Sequence, residues 1–514
     1  MANWNDGYLT DIEYLDTYFS YLNPLFMNLN LTFAGFDVGQ HDCISLQTSS
    51  DSNDKQSYLE MGFGRGVSLC VHAATTDMSF VGTDFNPSHT LFARNLAKVG
   101  NADIQLYDDS FELLYKRLQK QEAEFDYIVL HGVWSWVSYE NQKVILQIIR
   151  DHLKVGGIVY VSYNCFPGWD GKWSSRKLLT MYHDYISGAK VERIRNALGF
   201  FKDFLETNPL YLQNNPSAAR VSQIIENEKF DYLAHEFFND GANCCYFVDM
   251  VRDLESCKLQ FACGALPLWH YEDSSLNKQN QAFLDQIAEP TLKEQLKDYY
   301  LNRQFRNDIF VKGAQKLSGQ QICDKFLNTR FTLTSIPDSD AEDLDAIRKD
   351  MIAFLAKDSY TPKSMREAQL QLGGGGLHIR ELAKLVADMM TSGYIHPVTN
   401  RDITDSIAKR SIDFNRHIFS NQCKKQYVRY AAAPLIGGGV LINEVSQVFL
   451  YGLMSGVDEK GLGAFAWDIL KAQGRKLNKA GVDLESDKEN IKELDSVLQD
   501  LLPKIPLYKN LGII

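Results

Sequence analysis

Residues 57–163 predict an α/β fold built on a doubly wound parallel sheet, on three observations. Short apolar runs alternate with longer amphipathic segments, a glycine-rich turn follows the first run, and acidic residues close the second and third. The expected strands are Ser57–Met61, Ser79–Phe85, Ala102–Tyr107, Phe125–Leu130 and Gly157–Ser162. Between them, Val67–Ala74, Pro87–Val99, Ser110–Gln121 and Asn141–Leu153 are each long enough for a crossover helix, so right-handed βαβ units follow.

The flanking elements take other rhythms. A helical stretch from Ile12 to about Phe33 precedes the sheet. From Trp173 to about Phe238 the pattern is helical, and strand-like runs return only at Lys258–Leu266 and Asp308–Lys312. That order predicts one domain over 1–318 with a helical insert at about 172–240, its last two strands arriving late. The other arrangement the pattern permits is a separate helical domain after a five-stranded sheet. Residues 319–404 show a helix at Ala341–Ala356, a Gly373–Gly376 tract and HIRELAKLVADMMTSGYIHPV, the outline of a winged helix. The glycine tract lacks a following Gly-Lys-Ser/Thr and reads as a loop, not a phosphate cradle. Residues 405–514 read as mostly helical, interrupted by the apolar, glycine-rich Pro434–Ile442.

Composition narrows the function. Among 514 residues, 53 Lys+Arg stand against 65 Asp+Glu, a net charge of −12, which argues against a general nucleic-acid binder. The nine cysteines form no CxxC and have no paired histidine spacing, so free thiols in a reducing compartment are expected, with no metal site. His235-Glu236 lacks the second His of a zinc-protease motif. The first residues carry neither a basic nor an apolar leader and no run reaches membrane-spanning length, so the expected location is the cytoplasm, without membrane insertion.

The chemistry concentrates at the strand ends. The first strand closes in Glu60-Met61-Gly62-Phe63-Gly64-Arg65-Gly66. Open α/β sheets bind ligands at this edge, and the glycines let a ligand approach bare backbone. Val67 stands where a dinucleotide fingerprint needs its third glycine, and Glu60 would repel a pyrophosphate. A ligand with an amino group suits the loop, so S-adenosylmethionine is favoured over NAD. Asp84 closes the second strand, followed by Phe85, and is placed to accept hydrogen bonds from ribose hydroxyls. Asp109, preferred over Asp108, and Ser110 close the third, where a carboxylate or hydroxyl meets an adenine amino group. His131 and Gly132 close the fourth beside the methionine part, and Tyr163 and Asn164 end the fifth as the opposite wall. Together these features indicate a class I methyltransferase fold, Rossmann-like, whose product would be S-adenosylhomocysteine.

The sequence resembles bacterial class I methyltransferases that carry a methyltransferase regulatory domain, including rickettsial outer-membrane-protein lysine methyltransferases. The segments that carry the resemblance are GYLTDIEY (Gly7–Tyr14), EMGFGRG, HGVWSWV (His131–Val137), YNCFPGW, YLAHEFFND (Tyr232–Asp240), QFRNDIFVKG (Gln304–Gly313) and RYAAAPLIGGGV (Arg429–Val440). The family's usual Tyr and Thr are replaced here by Trp134 and Cys165. The resemblance implies a cofactor domain interrupted by a helical dimerisation insert, a homodimer, and methyl transfer to protein lysines.

A lysine acceptor would give strand-end aromatics a purpose. An ammonium has no lone pair, aromatic walls can hold it by cation–π attraction, and burial beside a sulfonium favours proton loss. Trp134, Trp136, Tyr163, Phe166 and Trp169 are the candidate wall, with Tyr8 and Tyr14 from the N-terminus. Trp134 and Tyr163, with His131 and Asn164, form the candidate catalytic set. His131 could equally be an acid–base group, a backbone contact to the cofactor, or a packed histidine. The competing functions are a methyltransferase acting on small molecules or RNA, and a non-catalytic regulatory protein that retains the cofactor site.

Overall fold

The computed structural model describes residues 16–37, 55–239, 241–313, 315–337, 344–373, 376–423, 428–479 and 482–514. Helix α1 (Pro24–Phe33) begins where Asn23 caps it, its side chain accepting from the Leu25 N–H at 2.8 Å, with Pro24 at the first helical position. This start corrects the longer helix expected from Ile12. The chain before it runs through a 3₁₀ turn at Ser20–Leu22, with Phe19 extended.

The central sheet has seven strands: β1 (Ser57–Met61), β2 (Ser79–Thr83), β3 (Ile104–Tyr107), β4 (Phe125–Leu130), β5 (Leu153–Asn164), β6 (Leu259–Gly264) and β7 (Phe305–Lys312). Their spatial order is β3-β2-β1-β4-β5-β7-β6. The first five are parallel and joined by α2 (Val67–Thr75), α3 (Pro87–Gly100), α4 (Phe111–Gln121) and α5 (Tyr139–His152), as the alternation predicts. β7 runs antiparallel to both β5 and β6, a reversal the sequence reading did not include.

Between β5 and β6 lies the insert: α6 (Asp170–Tyr185), α7 (Lys190–Glu206), α8 (Leu210–Asn214), α9 (Pro216–Asn227) and α10 (Phe230–Phe238). It closes a core of its own around Leu179, Ile194, Phe201, Val221 and Phe237. The chain returns through α11 (Phe247–Glu255), and α12 (Lys278–Leu284) and α13 (Pro290–Leu301) separate β6 from β7. The arrangement is therefore the interrupted sheet domain, not a helical domain following a five-stranded sheet.

Strand periodicity divides the sheet into two faces. Tyr58, Tyr127, Val129, Ile158, Tyr160, Ile309 and Val311 face one core, which continues through α1 into the region after β7. Leu59, Met61, Ile128, Leu130, Val159, Val161, Tyr163 and Phe310 face the other, against α4, α5 and α11. On this second face a charged cluster is sealed in. The Arg306 guanidinium, fully buried, meets Asp308 at 2.8 Å, Asp298 at 2.7 Å and Glu294 at 2.9 Å, tying β7 to α13. Breaking such a buried set would cost about 3–5 kcal/mol, because a charge is left uncompensated.

After β7 the chain forms α14 (Gly319–Asn328), then α15 (Ala346–Tyr360), α16 (Met365–Gln371) and α17 (Ile379–Thr391). Three short antiparallel strands accompany them: β8 (Arg330–Leu333), β9 (Lys363–Ser364) and β10 (Ile395–Pro397), in the order β9-β8-β10. These elements do not by themselves establish the winged helix expected here. Beyond them, α18 (Asp405–Gln422) leads into the hairpin β11 (Tyr430–Ala433) and β12 (Gly438–Leu441), and mostly helices follow. The apolar Pro434–Ile442 interruption is the turn and second strand of this hairpin. Ser411 on α18 donates to the carbonyl of Ala74 on α2 at 3.0 Å, so the C-terminal region packs directly on the sheet domain. Among the described residues no helix is long and apolar enough to cross a membrane.

Candidate functional site

The loop after β1 turns on three glycines in the left-handed region: Gly62, Gly64 and Gly66, at φ +73°, +57° and +69°. A Cβ on Gly62 would also stand 2.4 Å from the Val133 side chain. The Gly62 N–H donates to the Thr83 carbonyl and the Gly64 N–H to Asp84 Oδ2, both at 2.8 Å. The loop is thereby fastened to the end of β2, with its backbone held open toward the ligand edge of the sheet.

Glu60 lies beneath that loop, 4% exposed, and its Oε2 has no hydrogen-bond partner among the described residues. Burial, and secondarily the charge of Asp84, push its carboxyl up to about 8. An orphaned buried carboxyl costs free energy, which an arriving ammonium would recover. It lines a cleft together with the glycine loop, His131, and Thr17, Phe19 and Leu22.

The acids at the next strand ends are partly engaged already. Asp84 Oδ1 accepts from the Asn86 N–H at 3.0 Å and meets His89 Nδ1 at 3.1 Å, so its carboxylate joins the glycine loop to the start of α3. Phe85 follows it, half-buried. Asp109 takes two bonds from Arg117, at 2.6 and 3.2 Å, and that guanidinium lies over the Tyr107 ring. A carboxylate so paired still has lone pairs to offer. Asp108 is exposed, 3.7 Å from Arg94, and Ser110 caps α4 by accepting from the Leu113 N–H at 3.3 Å.

His131 stands on the cleft side of the sheet. Its Nδ1 lies 3.0 Å from both Tyr160 Oη and Ser162 Oγ, and the Gly132 N–H donates to Ser162 Oγ at 2.8 Å. Burial pulls the imidazole down to about 3, so it stays uncharged at neutral pH and is a feeble proton acceptor.

Two members of the expected wall lie in the core on the far face of the sheet. Tyr160 and Ser162 share the cleft face, so Tyr163 falls on the other. There its hydroxyl donates to Asp308 Oδ2 at 2.6 Å, inside the Arg306 cluster, fully buried. Its hydroxyl is thus held away from the cleft. Trp134, 3% exposed, belongs to the same far-face core. Trp169 is also buried, with Trp173 at 6.4 Å between ring centroids, and Phe166 sits 5.3 Å from Tyr246, so these two form a cluster at the root of the insert. Trp136 is half-buried at the end of the short turn that Trp134 opens. Asn164 is buried, and its backbone N–H donates to Ser135 Oγ at 2.8 Å. Tyr8 and Tyr14 lie outside the described residues.

The aromatics that do stand at the cleft come from the N-terminal segment. Phe19 packs 4.1 Å from the His131 ring and Tyr21 5.2 Å, while the Phe19 N–H donates to Ser68 Oγ at 3.0 Å and the Leu22 carbonyl accepts from Tyr58 Oη at 3.0 Å. Sequence reasoning missed them. The aromatic density of YLDTYFSYLNPLF was the available signal, but the folding of that segment over the sheet edge is a tertiary event. Among the described residues no cluster of His, Cys, Asp and Glu could hold a metal ion.

Comparison with known proteins places these features in context. The family model described as a methyltransferase domain matches residues 59–157, and that of a predicted methyltransferase regulatory domain matches 229–312. An uncharacterized protein of Synechocystis sp. is 31% identical over 525 residues, covering 99% of each chain. An uncharacterized protein of Rickettsia prowazekii is 24% identical over 306 residues, 57% of this chain and 52% of its own. Among solved structures, PKMT2 from Rickettsia typhi in complex with AdoHcy matches 97% of this chain and 99% of its own, with a TM-score of 0.69 and 18% identity.

Proposed function

The chain belongs to the methyltransferases that carry a methyltransferase regulatory domain, and from that premise we propose that it methylates lysine ε-amines of a protein, with S-adenosylmethionine as donor. The observation that carries the donor site is the unpartnered, buried Glu60 oxygen beneath three left-handed glycines. Glu60 would hold the amino group of the donor, the glycine loop its carboxylate side, and Asp84 and Asp109 the ribose and adenine. When bound, S-adenosylmethionine supplies an electrophilic methyl on a sulfonium. The work left to the protein is placement, because in-line transfer depends on orientation more than on proton removal.

The lysine acceptor is supported by the resemblance of HGVWSWV, YNCFPGW and the other segments to rickettsial lysine methyltransferases, and by the fold shared with PKMT2 from Rickettsia typhi, which binds AdoHcy. The insert, with a core separate from the sheet, is the candidate dimerisation element, and the cytoplasm the candidate location. Incubation of the purified chain with methyl-labelled donor and a fractionated lysate tests the acceptor. Label recovered as methyllysine after protein hydrolysis is the expected result. Label confined to RNA or small molecules would overturn the lysine reading while leaving the methyltransferase intact. Sedimentation equilibrium giving a monomer at micromolar concentration would remove the dimer.

A further inference from the structure

We propose that the acceptor group is an uncharged alkyl amine seated at the end of the cleft among Phe19, Tyr21, Phe305 and His131, its N–H donating to His131 Nε2. The inference rests on the methyltransferase reading and assigns the acceptor half of that site.

The four side chains come from three separated parts of the chain. Phe19 and Tyr21 belong to the N-terminal segment, at 4.1 and 5.2 Å from the His131 ring. Phe305 opens β7 and meets the same ring edge-on, 6.1 Å between centroids and 88° between planes. Its register partner is Asn164 at the end of β5, which puts it on the cleft face, where Ser162 and Tyr160 also point. Phe19 and His131 line the same cleft as Glu60 and the glycine loop, and Tyr21 and Phe305 pack on the His131 ring, so this aromatic group adjoins the donor site.

The hydrogen-bond chain behind His131 favours the tautomer that leaves Nε2 free. Tyr160 Oη donates its one proton to Asn307 Oδ1 at 2.7 Å, so toward His131 that oxygen can only accept. Were Nδ1 bare, as in the other tautomer, the equally distant Ser162 hydroxyl would donate to it; the tautomer assigned to His131 is Nδ1–H, which gives Tyr160 Oη its donor. Nε2 is left with a lone pair and no partner among the described residues. Burial keeps the ring from taking a second proton.

The surroundings select the uncharged form of the amine. Among the described residues, those around His131 are Phe19 and Tyr21 from the N-terminal segment, Tyr160 and Ser162 from β5, and Phe305 and Asn307 from β7; none is a carboxylate. Among the described residues, the ionisable groups of the cleft itself are Glu60, at the donor end, and Arg65, whose guanidinium pairs with Asp16 at 2.7 Å. Among the described residues an ammonium would find no counter-charge beside these rings, whereas an amine with one N–H on Nε2 turns its lone pair toward the donor. In the transfer, the nitrogen lone pair forms the bond to the methyl carbon. The carbon–sulfur bond breaks with its electron pair going to sulfur, and the extra proton on the methylated nitrogen leaves to water. His131 orients the amine and neither gains nor loses a proton.

The test uses the full chain with ¹⁵N-labelled histidine, saturated with S-adenosylhomocysteine and titrated with n-butylamine. The expected spectrum shows His131 as the Nδ1–H tautomer, with a bare Nε2 whose resonance moves on adding amine. Apparent affinity should rise about tenfold per pH unit between 7 and 9, following the neutral amine. Tyr21→Ala and Phe305→Leu should weaken n-butylamine three- to tenfold and leave S-adenosylhomocysteine affinity within twofold. Phe305 is 37% exposed, so its replacement spares the fold. An unmoved Nε2 resonance at saturating amine, or a His131 that becomes an imidazolium near pH 6.5, overturns the inference alone. Failure of S-adenosylhomocysteine to bind overturns the methyltransferase reading beneath it.

Discussion

Replacing Glu60 by glutamine should weaken the donor and strengthen the fold, and both effects follow from one buried carboxyl. The side chain is 4% exposed with Oε2 unpartnered, and burial raises the carboxyl from 4.5 to about 8. Each pKa unit is worth ~1.36 kcal/mol, so holding this charge in its buried place costs up to about 5 kcal/mol relative to the unfolded chain. The folded state binds the extra proton between pH 4.5 and 8, so the wild type loses stability as pH rises through that window. The Glu60→Gln variant has no carboxyl there to titrate and escapes the loss. An ammonium ligand reverses the balance by favouring the carboxylate. Losing that charge-assisted contact costs roughly 1.5–3 kcal/mol, or about 10- to 150-fold in donor affinity. Calorimetric titration of S-adenosylmethionine in buffers of different ionisation enthalpy should show proton release below pH 8 for the wild type and none for Glu60→Gln. Melts of the free proteins should diverge from pH 5 to pH 8, the variant being the more stable. Equal donor affinities, or melting curves that keep a constant offset across that range, would refute the reasoning.

Gly62→Ala should abolish donor binding, since the new Cβ meets the Val133 side chain at 2.4 Å at a φ of +73° that disfavours any side chain; calorimetry checks it, and retained affinity would contradict a rigid loop. Asp84→Asn should weaken the donor about 10- to 150-fold by the same charge-assisted bond, with a smaller loss of stability because the new amide can still accept from the Gly64 N–H, 2.8 Å away in the wild type; calorimetry and thermal melts read the two effects. Tyr163→Phe removes the hydroxyl that meets Asp308 at 2.6 Å, so it should lower unfolding free energy by about 1–3 kcal/mol while turnover per folded molecule stays unchanged. A selective loss of turnover in that variant would return Tyr163 to the substrate side.

The strand–helix alternation, the glycine loop with Glu60 ahead of it, the acids at the next two strand ends and the late return of the last strands were all legible in the sequence. Each depends on local signals: apolar period, turn residues, and the rule that parallel strands bind ligands at their C-terminal edge. What the sequence left open was which side of the sheet each strand-end residue serves. Tyr163 and Ser162 differ by one position, and a one-residue step along a strand reverses the face, so Ser162 supports His131 while Tyr163 joins the Arg306 cluster. Nothing local says which face receives the N-terminal segment. Phe19 and Tyr21 reach His131 because Tyr58 bonds the Leu22 carbonyl and Asn23 bonds the carbonyls of Ile436 and Gly437, contacts between residues tens to hundreds of positions apart. The antiparallel sense of β7, which brings Phe305 to the ligand edge, is likewise set by pairing with β5 and β6. The cofactor end of the cleft was therefore written into one continuous loop. The acceptor end exists only once segments distant in the chain have packed together, because its side chains share no local pattern and meet solely through the faces they bury.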